Sequence, residues 1–532
     1  MKWATAIFVA LICVTCVFAA EKATQSPNVL VIPKCAKPPV IDGVIGPDEW
    51  ARAAAFTGFQ HIFNWMTERQ PVIYVTYDDS RIYFAMDSRF PADSKLVRVA
   101  RYGDHKRVCR DDTLEIFIAP DYENRHDLDY QFLGNSLGVI QDILARPSIG
   151  NTLLGWNGNW EFKNTTSPGR WQAEVSIALA EVGLKPGRDF GLNVCRDYSP
   201  YIFTNWTPGG YRNYVRATFG GDCPIVQLTD LGPILKADMK ARFAVRSGAK
   251  PSKLLLETEV RLEAEGTVVA TAKRELDVPA GSRGEAILGT NWADKERKIE
   301  PFTGDREGNE WTAWLAKRKK VVTLKVSEAE GRTLLFHTLH VKEGVTDAVK
   351  SGPQRVFEVV AEPYPSYKML RTGADIYDFP QKDKVKSVGV DIKPAGKEFA
   401  VGCGRIEDFT LGYGEASVAH LPLTDGDYEA TFRLLDAAGN TLAAEKATFP
   451  KKSFPWEGTH AGLSDDVIPP FTPLEVKGKS VFCWGREYAF ADSGLPEKVV
   501  SRGDNVLASP VAFQGQADSA PLSFKPTGSL RV

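Results

Sequence analysis

Residues 107–121, RVCRDDTLEIFIAPD, open an apolar run with two aspartates and place one glutamate inside it. Side chains of a strand alternate between its two faces. On that rule Asp112, Leu114, Ile116 and Ile118 share an apolar core face, while Asp111, Thr113, Glu115 and Phe117 share a semi-polar face able to line a ligand surface. The same run predicts a strand in a sheet with only one greasy side, which is the raw material of a β-sandwich.

Strand patterns continue on either side. VIYVTYDDSRIYFAMDS (72–88) is two alternating runs around a polar turn, a hairpin signal. YQFLGNSLGVIQD, RWQAEVSIAL and DFGLNVCRDY follow at short intervals. Helical patterning is confined to GPDEWARAA (46–54) and ALAEVGL (178–184). The fold class is therefore all-β and multidomain. A first β-sandwich is expected over 21–230, and two smaller immunoglobulin-like sandwiches over 231–350 and 351–450. A Pro/Gly/Trp-rich segment follows over 451–532. That last segment stops on LSFKPTGSLRV, in the middle of a strand pattern, which suggests a continuation beyond Val532.

Residues 1–20 have the form of a secretory signal: Lys2, an apolar stretch, then small residues. A secreted, periplasmic or cell-surface location is expected, with no membrane span after its removal. A net charge of −2 and the lack of a basic patch argue against a nucleic-acid partner. Six cysteines remain after the signal, none in a CxxC pair. Export permits disulfides; Cys35 with Cys223, bracketing the first sandwich, is the expected pair, with free thiols as the alternative.

Three chemistries fit carboxylates at a strand edge. Asp111 and Glu115 lie about 13 Å apart along a strand, while retaining glycosidases need about 5 Å between carboxyls and inverting ones about 6.5–9.5 Å. This stretch alone supplies no catalytic pair. DYENRHDLD adds Asp121, Asp127 and Asp129, oxygen ligands of the type calcium takes, against the alternative of solvated loop charge. The third chemistry is sugar binding, which uses flat aromatic faces with carboxylates and amides for hydroxyl groups. Six of the 12 tryptophans fall in the first sandwich, and YIFTNWTPGGYRNY (201–214) is an aromatic Gly/Pro loop.

The segment order PPVIDGVIGPDEWARAA, IYVTYDDSRIYFAMDS, DDTLEIFIAP, WQAEVSIALAEVGL, FGLNVCRD and NWTPGG…FGG resembles the family 9 carbohydrate-binding modules over about residues 30–230. The resemblance implies a sugar-binding sandwich with structural calcium, no other cofactor and no catalysis of its own. It places Glu115 as the ligand carboxylate and offers Trp206, Tyr211 and Tyr214 as stacking aromatics, with Asn193 as a nearby amide. Departures are Cys109 near the expected tryptophan, Leu133 for the expected arginine and Cys195 near the expected amide; Trp65, Trp156 or Trp160 could replace the missing aromatic. Residues 453–510 resemble the segment that precedes the catalytic barrel in exported proteins related to glycoside hydrolase family 123. The expected function is carbohydrate binding in support of extracellular glycan breakdown, with a polysaccharide or oligosaccharide and an attached or separate glycoside hydrolase as partners. The alternatives are a structural or adhesive protein whose module has lost its sugar site, and a glycosidase with an unrecognised acid pair.

Overall fold

The computed structural model describes residues 28–525, apart from 47, 93, 102–107, 199–201, 208, 294–318, 343–354, 365–366, 368, 420–422, 456–465, 518–519 and 523. The expected signal segment lies outside the described residues. These residues are almost entirely strands and turns, and their helical pieces are short 3-10 turns. No helix among them is long and apolar enough to cross a membrane.

Two large sheets face each other. One runs, in spatial order, through Ile140–Arg146, Asp129–Asn135, Thr113–Ala119, Phe190–Asp197, Val215–Gly221 and Val29–Pro33, then on to Thr333–Lys342, Lys319–Glu328, Ser252–Leu262 and Val268–Val278. The other runs through Trp160–Ser167, Arg170–Ala178, Arg81–Arg89, Pro71–Tyr77, Ala54–Phe56, Ile225–Asp230, Asp238–Arg246 and Arg283–Asn291. Residue 230 is therefore not a break in the sheets. Val29 and Leu30 pair with Phe336 and Leu335, and Ile225–Asp230 pairs with Asp238–Arg246. Leu114, Ile116 and Phe84 from one side of that residue and Leu256, Val322 and Leu335 from the other belong to one continuous buried core.

The alternation of the opening stretch holds. Leu114, Ile116 and Ile118 enter this core, while Glu115 and Phe117 face the other way. The predicted hairpin also forms, with Tyr77 opposite Ile82. The two helical expectations fail. Around Trp50 and around Ala180 the chain makes single turns, closed by bonds such as Ala53 N–H to Trp50 O (3.1 Å) and Glu181 N–H to Ala178 O (3.2 Å). A first helical turn is costly to nucleate, and here tertiary anchoring fixes the chain instead. The buried Glu174 carboxylate accepts the Trp50 indole N–H (2.8 Å) and the backbone N–H groups of Asp42 (3.0 Å) and Gly43 (2.8 Å). Gly43 sits at φ +90° with Asn164 backbone 2.6 Å from where a Cβ would be, so no other residue fits there.

The two opening aspartates are structural. Asp111 accepts the Val99 (2.7 Å) and Ala100 (3.0 Å) N–H groups and the Asn135 amide (2.9 Å). Asp112 accepts the Val97 N–H (2.7 Å) and pairs with Arg196 at 2.8 Å, both side chains being buried. Arg196 in turn lies over the Trp171 and Tyr198 rings, 4.7 and 4.1 Å from their centroids. Arg98 and Arg101, on the arm that these aspartates hold, are buried against the third unit, where they pair with Asp378 and Asp375.

That unit has its own core and two sheets. One contains Met369–Asp375 between Glu358–Tyr364 and Tyr413–Ala419. The other contains Gly402–Ile406, Ser387–Pro394, Gly426–Leu435 and Thr441–Lys451. Residues 475–505 form a separate five-stranded meander.

The Cys35–Cys223 bond is absent: all six cysteines are thiols. Cys35 instead donates to Tyr77 O (3.2 Å), and Cys223 is buried in the core, where burial pushes its thiol up to about 11.

Removing one partner of a buried ion pair strands the other. Arg196→Met is expected to cost about 3–5 kcal/mol, read as the shift in the urea midpoint of the full chain. Arg242→Met, at an exposed pair with Asp230, should change it by less than about 1 kcal/mol.

Candidate functional site

The semi-polar face of Thr113–Ala119 carries Thr113, Glu115 and Phe117. Pairing with Phe190–Asp197 sets Asp197 opposite Thr113, Cys195 opposite Glu115 and Asn193 opposite Phe117. On the other side Leu133 stands opposite Glu115 and Gln131 opposite Phe117. Directly opposite residues share a face and stand about 4.5–5.5 Å apart at Cβ. The registers thus gather Glu115, Asp197, Cys195, Asn193 and Gln131 into one patch. Asn205, opposite Cys195, extends it.

Glu115 is buried and receives the Gln131 amide at 2.9 Å and the Thr113 hydroxyl at 3.4 Å. Its carboxyl also hydrogen-bonds that of Asp197. Burial raises the proton affinity of both acids; Glu115 raises that of Asp197 further, while the bond from Asp197 offsets part of the rise at Glu115. The pair holds a proton where isolated carboxyls would have lost theirs. Carboxyls in hydrogen-bond contact are closer than the about 5 Å that a retaining glycosidase needs, so this pair has the wrong spacing for that chemistry. The Asn205 amide is fully buried, and neither its oxygen nor its nitrogen has a hydrogen-bond partner among the described residues.

Tyr211 is half-buried, with its ring 6.0 Å from that of Phe117 and nearly parallel to it. Burial pushes its phenol up, and the neighbouring Asp197 and Glu115 push it further. Asn193 fixes this loop by donating to Tyr211 O at 2.9 Å, a positioning contact that its sequence position did not announce. Tyr214 is buried beside Phe117 and Cys195.

Trp206 is not a stacking platform. It is fully buried, 4.0 Å from Phe56 and 4.8 Å from His337 between ring centroids, and its indole donates to Thr57 O at 3.1 Å. The Gly/Pro loop that suggested exposure turns its tryptophan into the core. Trp160 packs edge-on against Phe132 at 5.1 Å, and Trp156 lies 5.1 Å from Tyr130, so both rim the core. Trp65 belongs to a more exposed group, stacked on His61 at 4.2 Å beside the exposed Phe63.

The three loop aspartates do not converge. Asp121 pairs with Arg188 and receives the Asn124 amide at 2.9 Å; Asp129 is buried and pairs with Arg212 at 2.5 Å; Asp127 is exposed. No cluster of three His, Cys, Asp or Glu side chains suited to a metal occurs among the described residues. Gln131, Asp197 and Asn205 were the residues that sequence reasoning missed. Alternation puts Asp197 on the face of Cys195, but only the inter-strand register brings that face to Glu115.

No protein-family model and no curated protein matches the chain. Among solved structures it is similar to a family 9 carbohydrate-binding module of Caldicellulosiruptor kristjanssonii in complex with cellotriose. That match has 16% identity over 36% of this chain and 94% of the other, with a TM-score of 0.28. The same module in complex with glucose matches at 15% identity, over 36% and 95% of the two chains, with a TM-score of 0.27. A provisionally assigned carbohydrate-binding protein of Bacteroides uniformis matches at 15% identity, over 37% of this chain and 100% of the other, with a TM-score of 0.30.

A raised carboxyl pKa means that the folded state holds more protons than the unfolded one, so stability falls as pH rises above the ordinary carboxylate range. Asp197→Asn keeps the contact and removes one acid. Relative to the parent, it should gain stability from pH 4 to pH 8, by about 1.4 kcal/mol for each unit of raised pKa. Urea titrations of both proteins at the two pH values measure this; a difference that does not change with pH rules the shared proton out.

Proposed function

We propose that the chain is a non-catalytic carbohydrate-binding protein whose site is the Glu115–Asp197–Tyr211 face. One observation carries the reading: a buried polar patch, with the Asn205 amide wholly unsatisfied, lies beside a half-exposed tyrosine ring. Buried polar groups are nearly always hydrogen-bonded. Sugar hydroxyls both donate and accept, so they match an amide and a carboxyl pair, while the tyrosine face suits a ring's C–H surface. The sequence resemblance to family 9 modules supports the same face through Glu115. Export, structural calcium in the first sandwich, and service to an attached or partner glycoside hydrolase are the wider parts of this proposal, resting on the leader-like N-terminus and on the resemblances alone.

A second reading is favoured by the burial of Glu115 and Trp206: a structural module that keeps the sandwich without the sugar. Affinity electrophoresis of the full chain through gels holding a panel of soluble polysaccharides separates the two. Retardation by at least one glycan is expected, weakened at least tenfold in Tyr211→Ala and in Asn205→Ala, with Arg242→Met unchanged. No retardation of the folded chain by any glycan would favour the structural module.

A further inference from the structure

A second site lies on the outer face of the other sheet. Strand alternation and register put Arg170, Asp87, Tyr74, Gln227, Thr229, Ala244, Arg246 and Arg283 on this one face. The 40–53 loop, fastened by Glu174, packs Trp50 and Ile45 over part of it. Between loop and sheet remains a cavity of about 410 Å³, at the small end of ligand pockets, lined by three arginines and one aspartate.

The arginines are not equivalent. Arg170 is occupied: its Nε and Nη2 grip Asp87 at 2.7 and 3.0 Å. Among the described residues Arg283 pairs with Glu285 alone, an exposed contact at 3.0 Å. Arg246 has no ion pair among the described residues, and its Nε is buried without a hydrogen-bond partner. Arg246 and Arg283 also stand directly opposite each other on adjacent antiparallel strands. Like charges so placed are destabilising, and an unpaired buried donor adds to the cost. Two guanidinium groups facing one cavity form a donor-only set that suits an acceptor-only oxyanion, bound through charge-assisted hydrogen bonds.

We propose that this cavity binds an oxyanion group — carboxylate, sulfate or phosphate — between Arg246 and Arg283, with the Tyr74 and Thr229 hydroxyls as further donors. The source is either a free inorganic anion or an acidic substituent on a sugar. The site is separate from the Glu115 face and on the opposite sheet, so it stands whether or not that face binds glycans.

The test is thermal unfolding of the full chain titrated with sulfate, inorganic phosphate, glucuronate or glucose at ionic strength held constant with chloride. At least one of the three anions should raise the midpoint saturably, unlike the unsaturating effect of sulfate as an excluded salt; glucose should not. Protection by glucuronate would identify an acidic sugar as a source, and protection by sulfate or phosphate alone an inorganic or esterified one. Arg246→Met should weaken the effective anion at least tenfold, while its midpoint in chloride is no lower than the parent's because a like-charge contact is gone. Arg242→Met, four residues away on the same face of the strand, should behave as the parent. No saturable shift with any anion, an equal shift with glucose, or equal loss in both variants would overturn the proposal.

Discussion

A charge in the core governs this architecture. Arg196 lies on the inward side of its strand, fully buried between the rings of Trp171 and Tyr198, and its Nε donates to Ser88 Oγ at 3.1 Å. A guanidinium cannot shed its proton inside a protein, so Asp112 must be there. That requirement fixes the start of the Thr113–Ala119 strand. Asp112 and Asp111 between them fasten the arm at 97–100. The arm carries Arg98 and Arg101 onto the third unit, over Tyr377 and Tyr413. One buried arginine thus ties the two facing sheets through Trp171 and Ser88, and its ion pair with Asp112, within one sheet, sets the edge of the polar face and helps hold the arm that reaches the neighbouring unit.

The polar face follows from the same strand pair. Fixing Thr113 opposite Asp197 leaves Glu115 within reach of Asp197 and Gln131. Two acids in one dry patch hold a proton between them, and that proton makes the patch a donor as well as an acceptor. Tyr211 is held beside it through Asn193. The outer face of the other sheet has the opposite character: it is rich in arginine and roofed by a loop that Glu174 pins. Two sheets back to back thereby present two chemically distinct surfaces.

Much of this was legible in the sequence because strand alternation is local. DDTLEIFIA declared both of its faces, the 72–88 hairpin declared itself by composition, and DAAGN (436–440) has the composition of a turn between two alternating runs. In that turn Asp436 accepts the Ala438 and Asn440 N–H groups at 2.9 and 2.8 Å. What stayed hidden is non-local. Trp206 reads as a loop aromatic, yet it fills the core because Phe56 and His337, far away in the chain, leave a slot for it. The fusion of the first two sandwiches depends on pairing between Val29–Pro33 and Thr333–Lys342, which no periodicity announces. The acid pair and the facing arginines are facts of register between strands, and register is set by the whole sheet.

The central claim is that a glycan sits on the Glu115–Asp197–Tyr211 face. Hydrogen–deuterium exchange of the full chain, with and without a saturating retained glycan, tests it most directly. The account predicts slowed exchange confined to the Phe190–Asp197 strand and the segment from Thr204 to Tyr214. Slowing at the His61–Trp65 hairpin with none at these two segments would contradict it.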